Sequence, residues 1–412
     1  MNRSYCRRAL LCAGAAASFA TTAWAQSTTG ASTTTSEEIT TLPTFTITEK
    51  QANPYLSKQA LSSSRVAMAI QDIPQTISVV TSDFMKDSMS LRMLDAAKYV
   101  TPITESTLPT GGDRYTIRGF QVTHEFVDGM EISGADGYSA SLMGYNIDRI
   151  EIIKGPNAIL VPGGAAGGQM NPITKSPIMK DQSSVTLELA QYIGNAISFD
   201  VNRVISTDKG IAARLVAAWW KNDGYWKNHF RDGFMIAPSL SWQLSPGTQL
   251  TAKVEIMQNQ ETNGTFLPID PSVGSDDYAI LAKGLPRDWS FGNEQDRRDR
   301  ETERLTLELL SELGQHVSSR LQFTANHVSR EDQGGTSGSI NGITITRNPM
   351  TGKYEPGVVW TVDQTGPVAI PSSTNVPLPN PSTYVYGRTN GSDHLYYNEV
   401  HFRNDYAIKF DG

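Results

Sequence analysis

Beyond residue 183 apolar and polar residues alternate in runs of roughly ten, the length of a strand that crosses a membrane. Val185, Leu187 and Leu189 share one face of the first run; in a later one Val254 and Ile256 lie on one face and Lys253 and Glu255 on the other. This period of two predicts β-strands with one apolar face. Eight such segments are predicted: Ser184–Tyr192, Ala196–Ser206, Ile211–Trp220, Phe234–Leu244, Thr248–Gln258, Glu303–Leu313, Ser318–Val328 and Leu395–Phe410. Short links (Thr207-Asp208-Lys209-Gly210, Ser245-Pro246-Gly247, Gly314-Gln315) alternate with longer excursions, of which Glu261–Thr302 and Ser329–His394 are the longest. Short turns at one end and long loops at the other suit a transmembrane barrel. A soluble sandwich has no need of that asymmetry, although jelly rolls also carry long loops.

Upstream, from about Ser62 to Pro177, the pattern is mixed α/β. Gln75 to Thr81 is rich in β-formers, Ser82 and Asp83 suit a helix cap, and Leu91, Leu94 and Ala97 are spaced for a short helix that Pro102 stops. Short strands at Tyr115–Ile117, Glu125–Val127 and Ile150–Ile153 each close on a turn with glycine: Gly119, Gly129 and Gly155. Gly163, Gly164, Gly167 and Gly168 crowd a loop before Met170–Thr174. Tight connections in a confined volume follow, because glycine permits close backbone approach.

The first residues read as targeting rather than structure. Arg3, Arg7 and Arg8 precede an apolar stretch from Ala9 to Ala20 and a small-x-small site at Ala23-Trp24-Ala25, which predicts a secretory signal peptide over 1–25. Ser27 to Ser36 are mostly Ser, Thr, Gly and Ala, a composition that cannot bury enough apolar surface to order itself. The alternating segment Pro43-Thr44-Phe45-Thr46-Ile47-Thr48 follows, readable either as a linker strand or as a peptide captured by a partner's sheet edge.

Composition narrows the chemistry. Both cysteines, Cys6 and Cys12, lie in the predicted signal, so the mature chain has no thiol for disulfides or catalysis. A net charge of −7 with no dominant basic patch argues against nucleic-acid binding. No stretch is long and apolar enough for a membrane helix, but alternating barrel strands escape that test. No phosphate loop, Ser/His/Asp arrangement or metal-ligand spacing appears, so the expected role is binding and passage, not enzymatic catalysis. The aromatics Trp219, Trp220, Tyr225, Trp226, Phe230, Phe234 and Trp242 fit a membrane-interface girdle and ordinary core packing equally well. The charged run Glu294 to Arg304 reads as a solvated loop and strand entry.

Five motifs occur in order: Asp72-Ile73-Pro74-Gln75, Ile117-Arg118-Gly119-Phe120, Val127-Asp128-Gly129, Arg149-Ile150-Glu151-Ile152-Ile153-Lys154-Gly155-Pro156, and Gly167-Gly168 with Asn171-Pro172-Ile173-Thr174-Lys175-Ser176-Pro177. Together they resemble the plug of TonB-dependent outer-membrane receptors of the ferric-siderophore type. Any one alone could be chance; a lone Val-Asp-Gly is merely a turn. The sequence departs from the family pattern at Leu160-Val161-Pro162-Gly163 and at Pro172, which puts local plug geometry in question.

The resemblance implies a mixed α/β plug domain over 62–178, after a tail over 26–61, followed by an antiparallel transmembrane β-barrel over 184–412. Large plugged barrels have about 22 strands, so eight would make this an N-terminal fragment. Pro43 to Thr48 would be the TonB box, pulled by TonB and its inner-membrane motor proteins. The tail is too short for an added signalling domain. Ligand contacts are implied on loops Thr104–Arg114, Gln121–His124 and Glu131–Leu142, with Tyr138, Gln121 and His124 as candidates; a packed tyrosine or an idle loop histidine remains an alternative. Arg118 and Lys154 resemble the family's basic pair that docks the plug to barrel glutamates, lysine lacking arginine's bidentate fork. The implied partners are a ferric siderophore, TonB and outer-membrane lipids, for a monomer with no cofactor of its own, iron entering only within the ligand. Cobalamin, haem or a glycan stays open as cargo, and a passive porin is the weaker alternative.

Overall fold

The computed structural model describes residues 55, 59–60, 68–69, 75–100, 103–105, 115–122, 125–132, 142–155, 166–190, 194–262, 288, 296–314, 317–340, 346–347, 354–355, 358–363, 366–371 and 386–408. Two short strands, β1 (Gln59–Ala60) and β2 (Met68–Ala69), pair with each other ahead of the mixed domain.

That domain is organised around β9 (Ile147–Lys154), flanked on one side by β3 (Thr76–Thr81) and on the other by β10 (Gly168–Thr174), all antiparallel. Ile147, Ile150, Ile152 and Ile153 are buried, as a central strand covered on both faces requires. Helix α1 (Ser82–Asp87) starts where the Thr81 hydroxyl accepts from the Phe84 amide at 3.3 Å, one residue before the predicted cap. Helix α2 (Met93–Ala97) buries Met93, Leu94, Ala96 and Ala97 in the same core. Three small strands, β4 (Ile103–Glu105), β5 (Tyr115–Ile117) and β6 (Phe120–Gln121), form a second sheet, and β7 (Glu125–Val127) with β8 (Met130–Ile132) form a hairpin over β10.

Pro172 sits in β10, an edge strand of its sheet. Its carbonyl accepts from the Asp128 amide at 2.9 Å, so its ring nitrogen also faces away from β9 and no ladder bond is lost. Gly168 has φ +134°, and a Cβ there would lie 2.1 Å from the Ile153 carbonyl oxygen, so the Gly-Gly motif marks a close backbone crossing.

The eight predicted long strands form one antiparallel sheet: β11 (Gln182–Ala190), β12 (Gly194–Ser206), β13 (Ile211–Asp223), β14 (Phe230–Ser245), β15 (Thr248–Thr262), β16 (Arg297–Glu312), β17 (Val317–Ile340) and β22 (Tyr386–Ile408). Two small hairpins, β18 (Thr346–Arg347) with β19 (Tyr354–Glu355) and β20 (Val358–Asp363) with β21 (Gly366–Pro371), lie between the last two. β16 starts six residues before the predicted Glu303 and β17 runs twelve past Val328, shortening the two long excursions.

The sheet is inside-out relative to a soluble protein. Its outer face exposes Val185, Leu187, Leu189, Val400 and Phe402, while its inner face buries Asn202, Thr251, Glu255, Arg300, Gln322 and Thr324. An apolar outer face and a polar inner one is the division a bilayer imposes on a barrel wall. The run Glu294 to Arg304 is a correction: Arg298, Arg300 and Arg304 lie on the inner face, buried and paired with Asp332, Glu261 and Glu255. Trp220 is also buried and Trp219 exposed, so the aromatic group divides between core and outer face.

Candidate functional site

The chemistry of this fold is concentrated where the mixed domain seats on the inner wall. The first seat follows the end of β10. Lys175 Nζ lies 2.9 Å from an Asp200 oxygen on β12, and Arg214 on β13 grips the same carboxylate through Nε and Nη2, both at 2.8 Å. Asn202 binds the Ile178 amide and the carbonyls of Ile178 and Lys180, guiding the chain into β11. Burial pushes the Lys175 ammonium down, and Asp200 only partly reverses this.

A second seat is apolar. Leu91 and Met143 pack with Trp220, Met235 and Met257 of the wall, and Tyr145 stacks on Trp220 with ring centroids 6.0 Å apart. The Tyr145 hydroxyl donates to Glu188 at 3.3 Å; burial first and then this carboxylate push its phenol far above the usual range. Beside it, Asn146 Nδ2 donates to Glu255 at 2.7 Å.

The third seat is the Val-Asp-Gly turn. Asp128 and Gly129 have φ of +53° and +79°, which turns both carbonyls toward the wall. Arg320 Nη2 and Gln322 Nε2 donate to the Asp128 carbonyl at 3.0 and 3.3 Å, and Arg403 donates to that of Gly129. The Asp128 carboxylate accepts from the Thr174 amide at 2.8 Å and the Thr174 hydroxyl at 2.6 Å, with Lys253 Nζ at 3.4 Å. Burial alone would push this carboxyl up; Lys253, the Thr174 hydrogen bonds and Arg320 outweigh it and hold it below its ordinary value. Three wall strands, β15, β17 and β22, thus converge on one two-residue turn.

The residues expected from the resemblance lie only partly within the described part of the chain. Pro43 to Thr48, His124 and Tyr138 lie outside the described residues. Gln121 is exposed in β6. Arg118 is exposed at the β5–β6 turn, with Nη1 3.6 Å from where a Cβ on Gly155 would sit, and Lys154 is half-buried at the end of β9. Among the described residues neither pairs with a wall glutamate. Wall glutamate Glu255 meets Asn146, and the charged docking runs both ways, from plug Lys175 to wall Asp200 and from plug Asp128 to wall Lys253. Sequence reasoning missed this seat: a positive-φ Asp-Gly turn was visible, its distant partners were not.

Residues 69–169 match the TonB-dependent Receptor Plug Domain family model. The chain is 27% identical over 300 residues to the metal-pseudopaline receptor CntO of Pseudomonas aeruginosa, an alignment spanning 71% of this chain and 41% of that protein. It is also 27% identical over 218 residues to the ferripyoverdine receptor of the same species, covering 52% of this chain and 27% of the relative. It therefore spans less than half the length of the curated relatives it matches. Among solved structures, the ferric-catecholate import receptor Fiu of Escherichia coli K12 superimposes with a TM-score of 0.67 at 17% identity, over 87% of this chain and 50% of Fiu. Residues 69–169 thus match the plug of TonB-dependent receptors, and the chain as a whole, with its eight-stranded wall apolar outside and polar inside, shares the fold of such solved structures as Fiu.

Proposed function

We propose that this protein is an outer-membrane receptor that binds ferric siderophores and imports them, energised through TonB by the proton-motive force. The observation that carries the reading is the plug itself, seated on the polar inner face of a wall whose outer face is apolar. A passive porin has no use for a domain of this size bound to its lumen. The names of the relatives support the cargo: one is a metal-pseudopaline receptor and another a ferripyoverdine receptor.

In this reading Pro43 to Thr48 form the peptide that TonB captures by strand addition. Tyr138, Gln121 and His124 contribute to the ligand site at the outer end of the plug, and Arg118 and Lys154 dock the plug to glutamates of the barrel. Deleting residues 43–48 tests the reading: uptake of radiolabelled ferric siderophore should stop while surface binding persists. Uptake that continues unchanged would refute the assignment of this segment.

A further inference from the structure

Tyr55 belongs by sequence to the tail, yet its side chain is seated on the plug. Its ring meets Phe84 of α1 edge-on, with centroids 6.0 Å apart and planes at 85°, and Phe84 meets Tyr99 in the same manner at 5.4 Å and 79°. These are the T-shaped pairs that the charge distribution of aromatic rings favours. Phe84 packs on the buried core of the plug, and Lys98 Nζ lies 5.6 Å from the centre of the Tyr99 ring, so the row of three rings is fixed at its middle and faced by a cation at its far end. The Tyr55 hydroxyl donates to the carboxylate of Asp87, the last residue of α1. One side chain, 47% exposed, is thus held both by ring packing and by a charge-assisted hydrogen bond.

The residues just after Tyr55 do not join the sheets of the plug. β1 and β2 pair with each other alone, and the first strand of the β9 sheet is β3, which begins at Thr76. Tyr55 therefore attaches the chain to the plug well ahead of the sheet. Thr48 stands seven residues before Tyr55 and 28 before Thr76. With Tyr55 seated, Thr48 can lie at most about 25 Å from this face of α1; with Tyr55 released and β3 as the anchor, the limit rises to about 100 Å.

We propose that Tyr55 is a positioning residue: its clasp on Phe84 and Asp87 ties the tail to α1 and keeps residues 43–48 concentrated at this face of the plug, where a partner captures them. The physical basis is tether length, because the local concentration of a tethered segment falls roughly as the −3/2 power of the length. The clasp stands on its own geometry, and its use in capture rests on the reading of residues 43–48 under Proposed function.

The test is disulfide trapping in the folded receptor in outer-membrane vesicles, because the only native cysteines, Cys6 and Cys12, lie in the segment read as signal peptide. Lys50→Cys in the tail is paired with Lys98→Cys on the plug, and the rate of their oxidation to a disulfide measures how often the tail visits this face. Tyr55→Ala should lower that rate by about twofold if β1 becomes the next anchor and by about tenfold if β3 does. Tyr55→Phe keeps the ring and loses the hydrogen bond, so it should lower the rate less. Asp87→Ala deletes the same hydrogen bond and should match it, with the two combined adding nothing further. Tyr55 and Asp87 are exposed, so the unfolding temperature of the receptor should not move, which separates positioning from a general loosening of the plug. A trapping rate that Tyr55→Ala leaves unchanged overturns the proposal, as does a fall that appears only together with a lowered unfolding temperature. A slowed trap in a receptor whose uptake is indifferent to deletion of residues 43–48 would instead contradict the capture reading and support the clasp alone.

Discussion

Lys253 on the inner face of β15 places Nζ 3.4 Å from the Asp128 carboxylate and 2.9 Å from the Thr174 hydroxyl, tying the wall to two strand ends of the plug at once. Both partners of the ion pair are largely buried, with side chains 14% and 6% exposed. Removing one member of a buried pair leaves the other uncompensated. Lys253→Met should therefore destabilise the seated plug by about 3 kcal/mol, read as a lower unfolding temperature of the purified receptor, while a substitution of exposed Lys209 should leave it unchanged.

The pH dependence follows from the same carboxylate. Asp128 in the fold titrates below its ordinary value of 3.8, so its contribution to stability is complete above that value and is lost as pH falls through the depressed one. Below about pH 4, wild-type receptor should lose unfolding temperature faster than Asp128→Asn, and the two curves should converge at the acid end. Parallel curves across that window would remove Asp128 from the seat.

Gly129→Ala tests the geometry of the turn. The added Cβ would stand 3.3 Å from Arg403 Nη2 and 3.5 Å from Arg320 Nη1, on a backbone with φ +79°. The left-handed conformation costs an alanine about 1–2 kcal/mol, and denaturant unfolding should show a loss of at least that size.

The apolar seat depends on Trp220, which is fully buried and stacked on Tyr145. Trp220→Ala should cost about 3–5 kcal/mol in thermal unfolding, and a Trp219→Ala control on the exposed outer face should cost much less.

The outer face carries its own prediction. Leu187 is 64% exposed on β11, between Val185 and Leu189 on the same face. Leu187→Arg should lower stability in lipid by about 2–4 kcal/mol if it lies near the midplane, measured by urea unfolding in bilayers. An unchanged stability there would argue against a lipid-facing wall.

The strands were legible because a period of two leaves an apolar face whichever side meets the core, and all eight predicted runs pair in one sheet. Their ends were not. Arg298, Arg300 and Arg304 look like a solvated run because charges usually face water; here the polar face is the buried one, and each is paired with a carboxylate on a neighbouring strand. The Asp128 seat was illegible for another reason. Its wall partners Lys253 and Arg320 lie 125 and 192 residues away, with no periodicity to announce them. The five plug motifs, by contrast, are local and ordered, so the plug could be recognised before its seat could be located.

Energised import is tested by the accumulation of radiolabelled ferric siderophore in cells that depend on this receptor for iron, before and after a protonophore collapses the proton-motive force. The protonophore should abolish accumulation while binding at the cell surface persists. Accumulation that continues at the same rate without the proton-motive force would contradict energised import and indicate a passive pore.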